Sequence, residues 1–165
     1  MSADPAGPAA PRRLVLLRHG RTAWNAERRI QGQLEAELDD TGHAQAAAVA
    51  PVIGSLRPAL LWSSDSARAR QTAAYVAKET GLEPTYDPRL REHYLAHREG
   101  LTHAEYAEVA PDEFAEFIRG NYDAVPGAET AAVVADRMVA ALGALLAALA
   151  PGELGVAVSH GAAIR

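Results

Sequence analysis

Leu14–Asn25 reads LVLLRHGRTAWN, and the rest of the chain is organised around it. Four apolar residues, Leu14 to Leu17, have the length and composition of a fully buried strand, and they run straight into Arg18, His19 and Gly20. A cation, a titratable imidazole and a residue free of Cβ restraint thus share a strand's C-terminal end. In open α/β sheets, ligands bind at that edge. A neutral imidazole is a competent nitrogen nucleophile, and Arg18 offers a planar fork of donors suited to phosphate oxygens. Gly20 lets the backbone turn close to a bound anion. Standing alone, an RHG tripeptide reads more simply as a strand end whose basic residues face water. The motifs further along the chain decide between the two.

At 165 residues the chain suits one domain with a sizeable core. Residues 1–11, MSADPAGPAAP, are rich in Pro, Ala and Gly and read as a flexible lead without signal-peptide character, leaving 12–165 as a single domain. The longest apolar run, Met138 to Ala150, is shorter than a bilayer span and follows Asp136 and Arg137, so no membrane partner is expected. Cysteine is absent, which excludes disulfides and thiolate metal sites and fits a reducing cytoplasm. A net charge of -5 argues against nucleic acid as a partner. A homodimer is compatible with all of this.

Outward from the opening strand, Thr22 to Arg29 reads as a short helix and Gln31 to Asp40 as irregular. Thr41, with Gly42 next, can cap a helix to about Leu56 that carries Ala46, Val49, Val52 and Ile53 on one face. After Pro58, Ala59 to Trp62 is a second short strand. Asp65 or Ser66 then caps a helix to about Thr80, which Gly81 ends. Two strand-then-helix units imply a parallel sheet, and right-handed crossovers place both strand ends on one edge. Arg68 lies in the first turn of the second helix at that edge, where free amides already favour anions. Arg70, two residues on, points elsewhere and reads as a solvated surface charge. Pro84 to Tyr86 is an edge strand.

The following polar segment holds Glu92, His93, His97 and His103. His93 and His97 are four apart, but no apolar periodicity marks a helix and no Glu accompanies them as a zinc protease motif requires, so no metal is expected. Leu101 to Gly120 reads as two short helices around Pro111, the kind of insertion that forms a lid. Glu129 to Ala150 is the longest helical run, with Val133, Val134, Met138, Ala141, Leu142, Leu145, Leu146 and Leu149 on a broad buried face. Leu154 to Val158 is a third buried strand, ending in Ser159, His160 and Gly161. Three strands therefore each deliver polar residues at their C-terminal ends: Arg18 with His19, then Arg68, then His160.

From Arg12 to Arg165 the chain resembles the histidine phosphatase superfamily and its phosphoglycerate mutase-like members. RHGRTAWN resembles the family's phosphohistidine motif, SSDSARARQTA its second arginine motif and LREHYLAHREGLT its acid-bearing loop. PGAETAAVVADR resembles its Gly-Glu-Ser-like helix start, and VSHGAAIR its second histidine motif. The resemblance implies a three-layer α/β/α sandwich with a mostly parallel sheet. It further implies His19 as nucleophile, Arg18, Arg68, Asn25 and His160 around the phosphate, Glu92 as proton donor, and no cofactor. In such a site Arg18, Arg68 and His160 would stand in for the metal of other phosphatases. Neighbouring cations would lower the pKa of His19, a backbone carbonyl would hold its other nitrogen, and Glu92 would serve both half-reactions as acid and base.

Family mutases that use 2,3-bisphosphoglycerate carry a longer insertion after the acid glutamate, whereas Glu92 and Gly100 are eight apart here. A phosphatase acting on a sugar or glycerate phosphate is therefore the first expectation. The mutase is the alternative within the family, and a non-catalytic phosphoryl-binding module the alternative outside enzymes. Ala96 and Arg98 stand where many members have Gly and Trp, and His97 replaces a common acid. A more basic pocket wall is expected from this, and with it a substrate bearing a second negative group. Family members also continue past the second histidine motif with a helix and a strand, so a chain truncated after Arg165 is expected.

Overall fold

The computed structural model describes residues 9–165, and most of the expected flexible lead lies outside them. Four parallel strands, β1 (Arg13–Arg18), β2 (Leu60–Ser63), β3 (Thr85–Tyr86) and β4 (Leu154–Ser159), form one sheet in the order β1-β4-β2-β3. Helix α1 (Ala23–Ala26) follows β1. Helices α2 (Asp40–Ser55) and α3 (Ala67–Thr80) cover one face, and α6 (Ala131–Ala148) with the short α7 (Gly161–Ile164) covers the other. The result is the expected α/β/α sandwich.

Strand β4 lies between β1 and β2 and is buried along its whole length. Its side chains alternate: Val156 and Val158 pack with Leu61, Ala69, Ala73 and Val76 on the α3 side, while Ala157 packs with Met138, Ala141 and Leu145 of α6. Strand β1 departs from the fully buried strand its four apolar residues suggest. It is an edge strand among the described residues, and Leu16 is 38% exposed because only one neighbour pairs with it.

Two helix faces also differ from their periodicity. Asp39, not Thr41, caps α2 by accepting from Gly42 N at 2.8 Å, which starts the helix one residue before Thr41. Val52 is then 59% exposed, and Gly42, Ala46, Ala50 and Ile53 form the buried stripe. On α6 the buried stripe is Val134, Met138, Ala141 and Leu145, with Val133 and Val139 exposed. At 18 residues α6 is long and apolar enough to cross a membrane by length and composition, yet its stripe packs on the sheet. Helix α3 ends as expected at Gly81, in the left-handed region at φ 73°.

A third cluster sits over the strand ends. Helices α4 (His103–Val109) and α5 (Pro111–Ile118), the second opened by Pro111, pack Tyr106, Phe114 and Phe117 with Ile30, Leu95 and Val125. This is the expected insertion, and its position over the C-terminal edge makes it one wall of a cavity.

Candidate active site

The parallel order brings the ends of β1 and β4 side by side, with Arg18 opposite Ser159 in register. His19 and His160 follow directly, and their rings meet edge to face with centroids 5.1 Å apart. Arg68 reaches the same point from the first turn of α3, with its Nε 3.3 Å from His19 Nε2. Arg18, His19, Asn25, Arg68 and Glu92 all line one cavity of about 350 Å³, whose far wall is Phe117, Ile118 and Tyr122 from the cap.

His19 is 7% exposed, and its Nδ1 lies 2.7 Å from the carbonyl oxygen of Gly20. Nδ1 must therefore carry the proton and donate it, which leaves the lone pair on Nε2 facing the cavity and Arg68. Burial is the main reason that the His19 pKa falls to about 4, and Arg68 is the second. The neighbouring cations lower it as expected, and exclusion of water contributes more.

Arg68 is 1% exposed and carries its charge inside the protein. Two backbone carbonyls hold it: Nη1 donates to Leu34 at 2.9 Å and Nη2 to Gly32 at 2.7 Å. Two carbonyls of the irregular stretch after α1 thus aim this guanidinium. Arg70 points away, with its guanidinium stacked 4.3 Å over the exposed Tyr86 ring, as its spacing from Arg68 suggests.

His160 is fully buried, and burial holds it well below the ordinary histidine value, so it enters the site neutral. Its Nε2 meets Ser64 Oγ at 2.9 Å and Ser66 Oγ at 3.3 Å, while Nδ1 has no partner within the protein. The sequence reading gave these two serines no place in the site, although the signal was present: they lie in the turn after β2, on the same edge as both histidines. Thr72 was missed as well. Its hydroxyl accepts from Gly20 N at 3.1 Å and donates to Arg68 O, tying α3 to the RHG turn.

Gly20 and Gly161 have reasons of their own. A Cβ on Gly20 would lie 2.5 Å from the carbonyl oxygen of Gly42, so this glycine permits contact between the strand end and α2 rather than approach of an anion. A Cβ on Gly161 would meet the Arg18 guanidinium at 3.2 Å. Asn25 completes the capping box of α1, with Oδ1 accepting from Thr22 N at 3.0 Å, and still borders the cavity.

Glu92 enters from the opposite side. Its Oε1 accepts from Ala163 N at 2.8 Å and His93 N at 3.0 Å, and Oε2 from Ala162 N at 3.1 Å. Burial opposes ionisation, but the adjoining His93 and these amides outweigh it and hold the pKa at about 2. Arg91 and Arg89 are not its partners; they pair with Asp65 and Asp87. Arg137 of α6 fixes the loop instead, donating to the carbonyls of Arg89, Arg91 and Glu92 while pairing with Glu129 at 2.9 Å.

The expected basic wall at His97 and Arg98 does not form. Arg98 pairs with Glu113 at 2.8 Å and lies 5.0 Å over the Tyr106 ring, and neither residue lines the cavity. Ala96 adopts φ 51°, a left-handed conformation that glycine takes more easily. The cations that do border the cavity beyond Arg68 are Arg18, Arg29 and Arg165. Among the described residues, no group of three His, Cys, Asp or Glu side chains could hold a metal ion.

A family model described as histidine phosphatase superfamily (branch 1) matches residues 14–165. Glucosyl-3-phosphoglycerate phosphatase of Mycobacterium tuberculosis is 49% identical over 100 residues, covering 61% of this chain and 45% of that protein. Metal-independent phosphoserine phosphatase of Arabidopsis thaliana is 38% identical over 156 residues, covering 92% of this chain and 65% of that protein. A solved mycobacterial glucosyl-3-phosphoglycerate phosphatase in complex with VO3 superposes with a TM-score of 0.87 at 40% identity, covering 93% of this chain and 78% of that one. The matched stretch thus spans 45% and 65% of the two curated relatives. Strand ends, motif order and the family model agree, and the chain belongs to the histidine phosphatase superfamily.

Proposed function

We propose that the chain hydrolyses a small, acidic phosphomonoester without a metal, through a phosphohistidine at Nε2 of His19. One observation carries this reading: the buried His19 has its proton fixed on Nδ1 by Gly20, so the other nitrogen stands ready as nucleophile beside Arg68. A phosphate dianion repels nucleophiles, and catalysis must therefore come from positioning and from charge placed where the transition state needs it. Arg68 and Arg18 supply full charges. His160, being neutral, supplies a hydrogen bond from Nδ1, and the Ser64 hydroxyl in turn donates to Nε2.

In the first half-reaction the bond from Nε2 to phosphorus forms while the ester P–O bond breaks, and Glu92 protonates the departing oxygen. In the second, Glu92 takes a proton from water as the P–N bond breaks. Its ionised resting form suits the second step directly. Arg18, Arg29 and Arg165 around the cavity support a substrate with a second negative group, a role first expected of His97 and Arg98. The relatives' names include phosphatases of a glucosylated phosphoglycerate and of phosphoserine, both of which fit that description. The lack of cysteine supports a reducing, cytoplasmic setting.

A phosphometabolite screen tests the reading, with His19→Ala as control. Release of phosphate from one or more carboxylated phosphomonoesters, abolished in the variant, is the expected result. Transfer between the hydroxyls of a glycerate, without phosphate release, would instead favour the mutase.

A further inference from the structure

One buried group beside the acid takes no part in the chemistry described so far. His93 is 5% exposed, and neither ring nitrogen has a hydrogen-bond partner in the protein. Buried polar atoms left this way are few in native proteins, and each calls for an explanation. Nδ1 lies 3.6 Å from Glu92 Oε1, and the ring rests edge to face on Tyr122 at 4.8 Å. His93 borders the catalytic cavity.

We propose that His93 is a positioning residue that supplies the proton Glu92 delivers to the leaving group and takes it back after hydrolysis. The inference rests on the phosphohistidine reading above and deepens it. Three backbone amides donate to the Glu92 carboxylate, and every one of those bonds favours its charged form. A carboxylate held so firmly ionised is a ready base and a poor store of protons. A neighbouring group able to hold the proton between turnovers would complete the cycle.

The surroundings leave few choices. His19 has Nδ1 committed to Gly20 and Nε2 to attack, and His160 has Nε2 committed to Ser64. Arg68 and Arg137 do not deprotonate. Around His93 stand Glu92 from its own loop, Tyr122 after α5, Glu129 before α6 with its partner Arg137, and Arg165 after α7, which lines the same cavity. The 3.6 Å separation exceeds a hydrogen bond, but catalytic contacts are often long before substrate arrives and tighten in the complex.

The proton inventory closes. The Nδ1–H bond of His93 breaks as Oε1 of Glu92 gains the proton, and that proton passes to the ester oxygen as its bond to phosphorus breaks. Later Glu92 takes a proton from the water that attacks phosphohistidine, and the proton returns to Nδ1. No other reactant is needed, since phosphate leaves with the oxygen and remaining hydrogen of that water.

Leaving-group dependence tests this. A nitrophenolate departs unprotonated, whereas an alkoxide needs a proton. Release of the alcohol in a single turnover should therefore fall at least ~10-fold in His93→Gln for an alkyl phosphate such as glycerol phosphate, and stay within about threefold for p-nitrophenyl phosphate. His93→Asn should repeat the pattern and replaces the glutamine variant if that one does not fold. A parallel fall on both esters, or no fall on either, overturns the relay. A wild-type chain inactive on both overturns the phosphatase reading itself.

Discussion

The two His-Gly pairs, His19-Gly20 and His160-Gly161, are alike in sequence and opposite in wiring. Both close a parallel strand, and both imidazoles are buried. Yet His19 is held through Nδ1 by the carbonyl of its own glycine, while His160 is held through Nε2 by serines in the turn between β2 and α3. One ring is left with a lone pair in the cavity, the other with an N–H donor. The pair teaches that a motif delivers a side chain to an edge, but the neighbour on its far nitrogen decides what the ring can do there.

The sharpest way to break this comparison is to delete each ring. His19→Ala should lose turnover by ~10⁴-fold or more, because in the proposed mechanism no other group forms the intermediate. His160→Ala should lose ~10²–10³-fold, the usual effect of removing one preorganised donor. Trapping of phosphate on the protein after acid-free quenching separates them further: phosphohistidine should still form, slowly, in the His160 variant. Equal losses, or no labelled intermediate in either, would erase the proposed difference in role.

Acid sharpens the comparison from the side of stability. The folded pKa of His19 is about 4 against an ordinary 6.5, so the unfolded chain binds a proton that the folded chain refuses between those values. Stability is whole above pH 6.5 and declines as pH falls towards 4, by about 3 kcal/mol for this group. His160 acts in the same direction. Glu92, held at about 2, contributes a loss in a lower window, between about pH 4.5 and 2. Urea unfolding of wild type and His19→Gln across pH 4 to 7 checks this: the variant should lose less over that range. Parallel curves would show that His19 titrates normally.

Much of this site was legible in the chain, and the reasons why are specific. Arg18, Arg68, His19 and His160 each follow or flank a short apolar run, and parallel topology gathers strand ends at one edge. What the sequence could not show was partnership. Ser64 was visible only as a polar residue after a strand, Ser66 only as a helix cap, and Arg137 only as a charge on a helix. The carbonyls of Gly32 and Leu34 that aim Arg68 come from an irregular stretch with no pattern at all. Arg98 misled because its charge was readable and its partner, Glu113 on α5, was fifteen residues away in an independent helix. Burial faces failed at Val52 and Val133 for a similar reason: periodicity shows a stripe, and packing against the sheet decides how wide it is.

The two glycines offer the finest division. A methyl on Gly20 would sit 2.5 Å from the Gly42 carbonyl oxygen, and that backbone cannot withdraw without moving the start of α2. Gly20→Ala should therefore cost ~1–3 kcal/mol and lower Tm by roughly 3–10 °C. A methyl on Gly161 meets instead the end of a flexible side chain, the Arg18 guanidinium at 3.2 Å, which can swing aside. Gly161→Ala should leave Tm nearly unchanged and raise KM a few-fold, because a displaced Arg18 weakens the hold on the phosphate. Thermal melts and steady-state kinetics on the two variants read both quantities. If Gly161→Ala melted early while its KM stayed put, Arg18 would be a structural cation, and anion binding in this pocket would fall to Arg68 and His160.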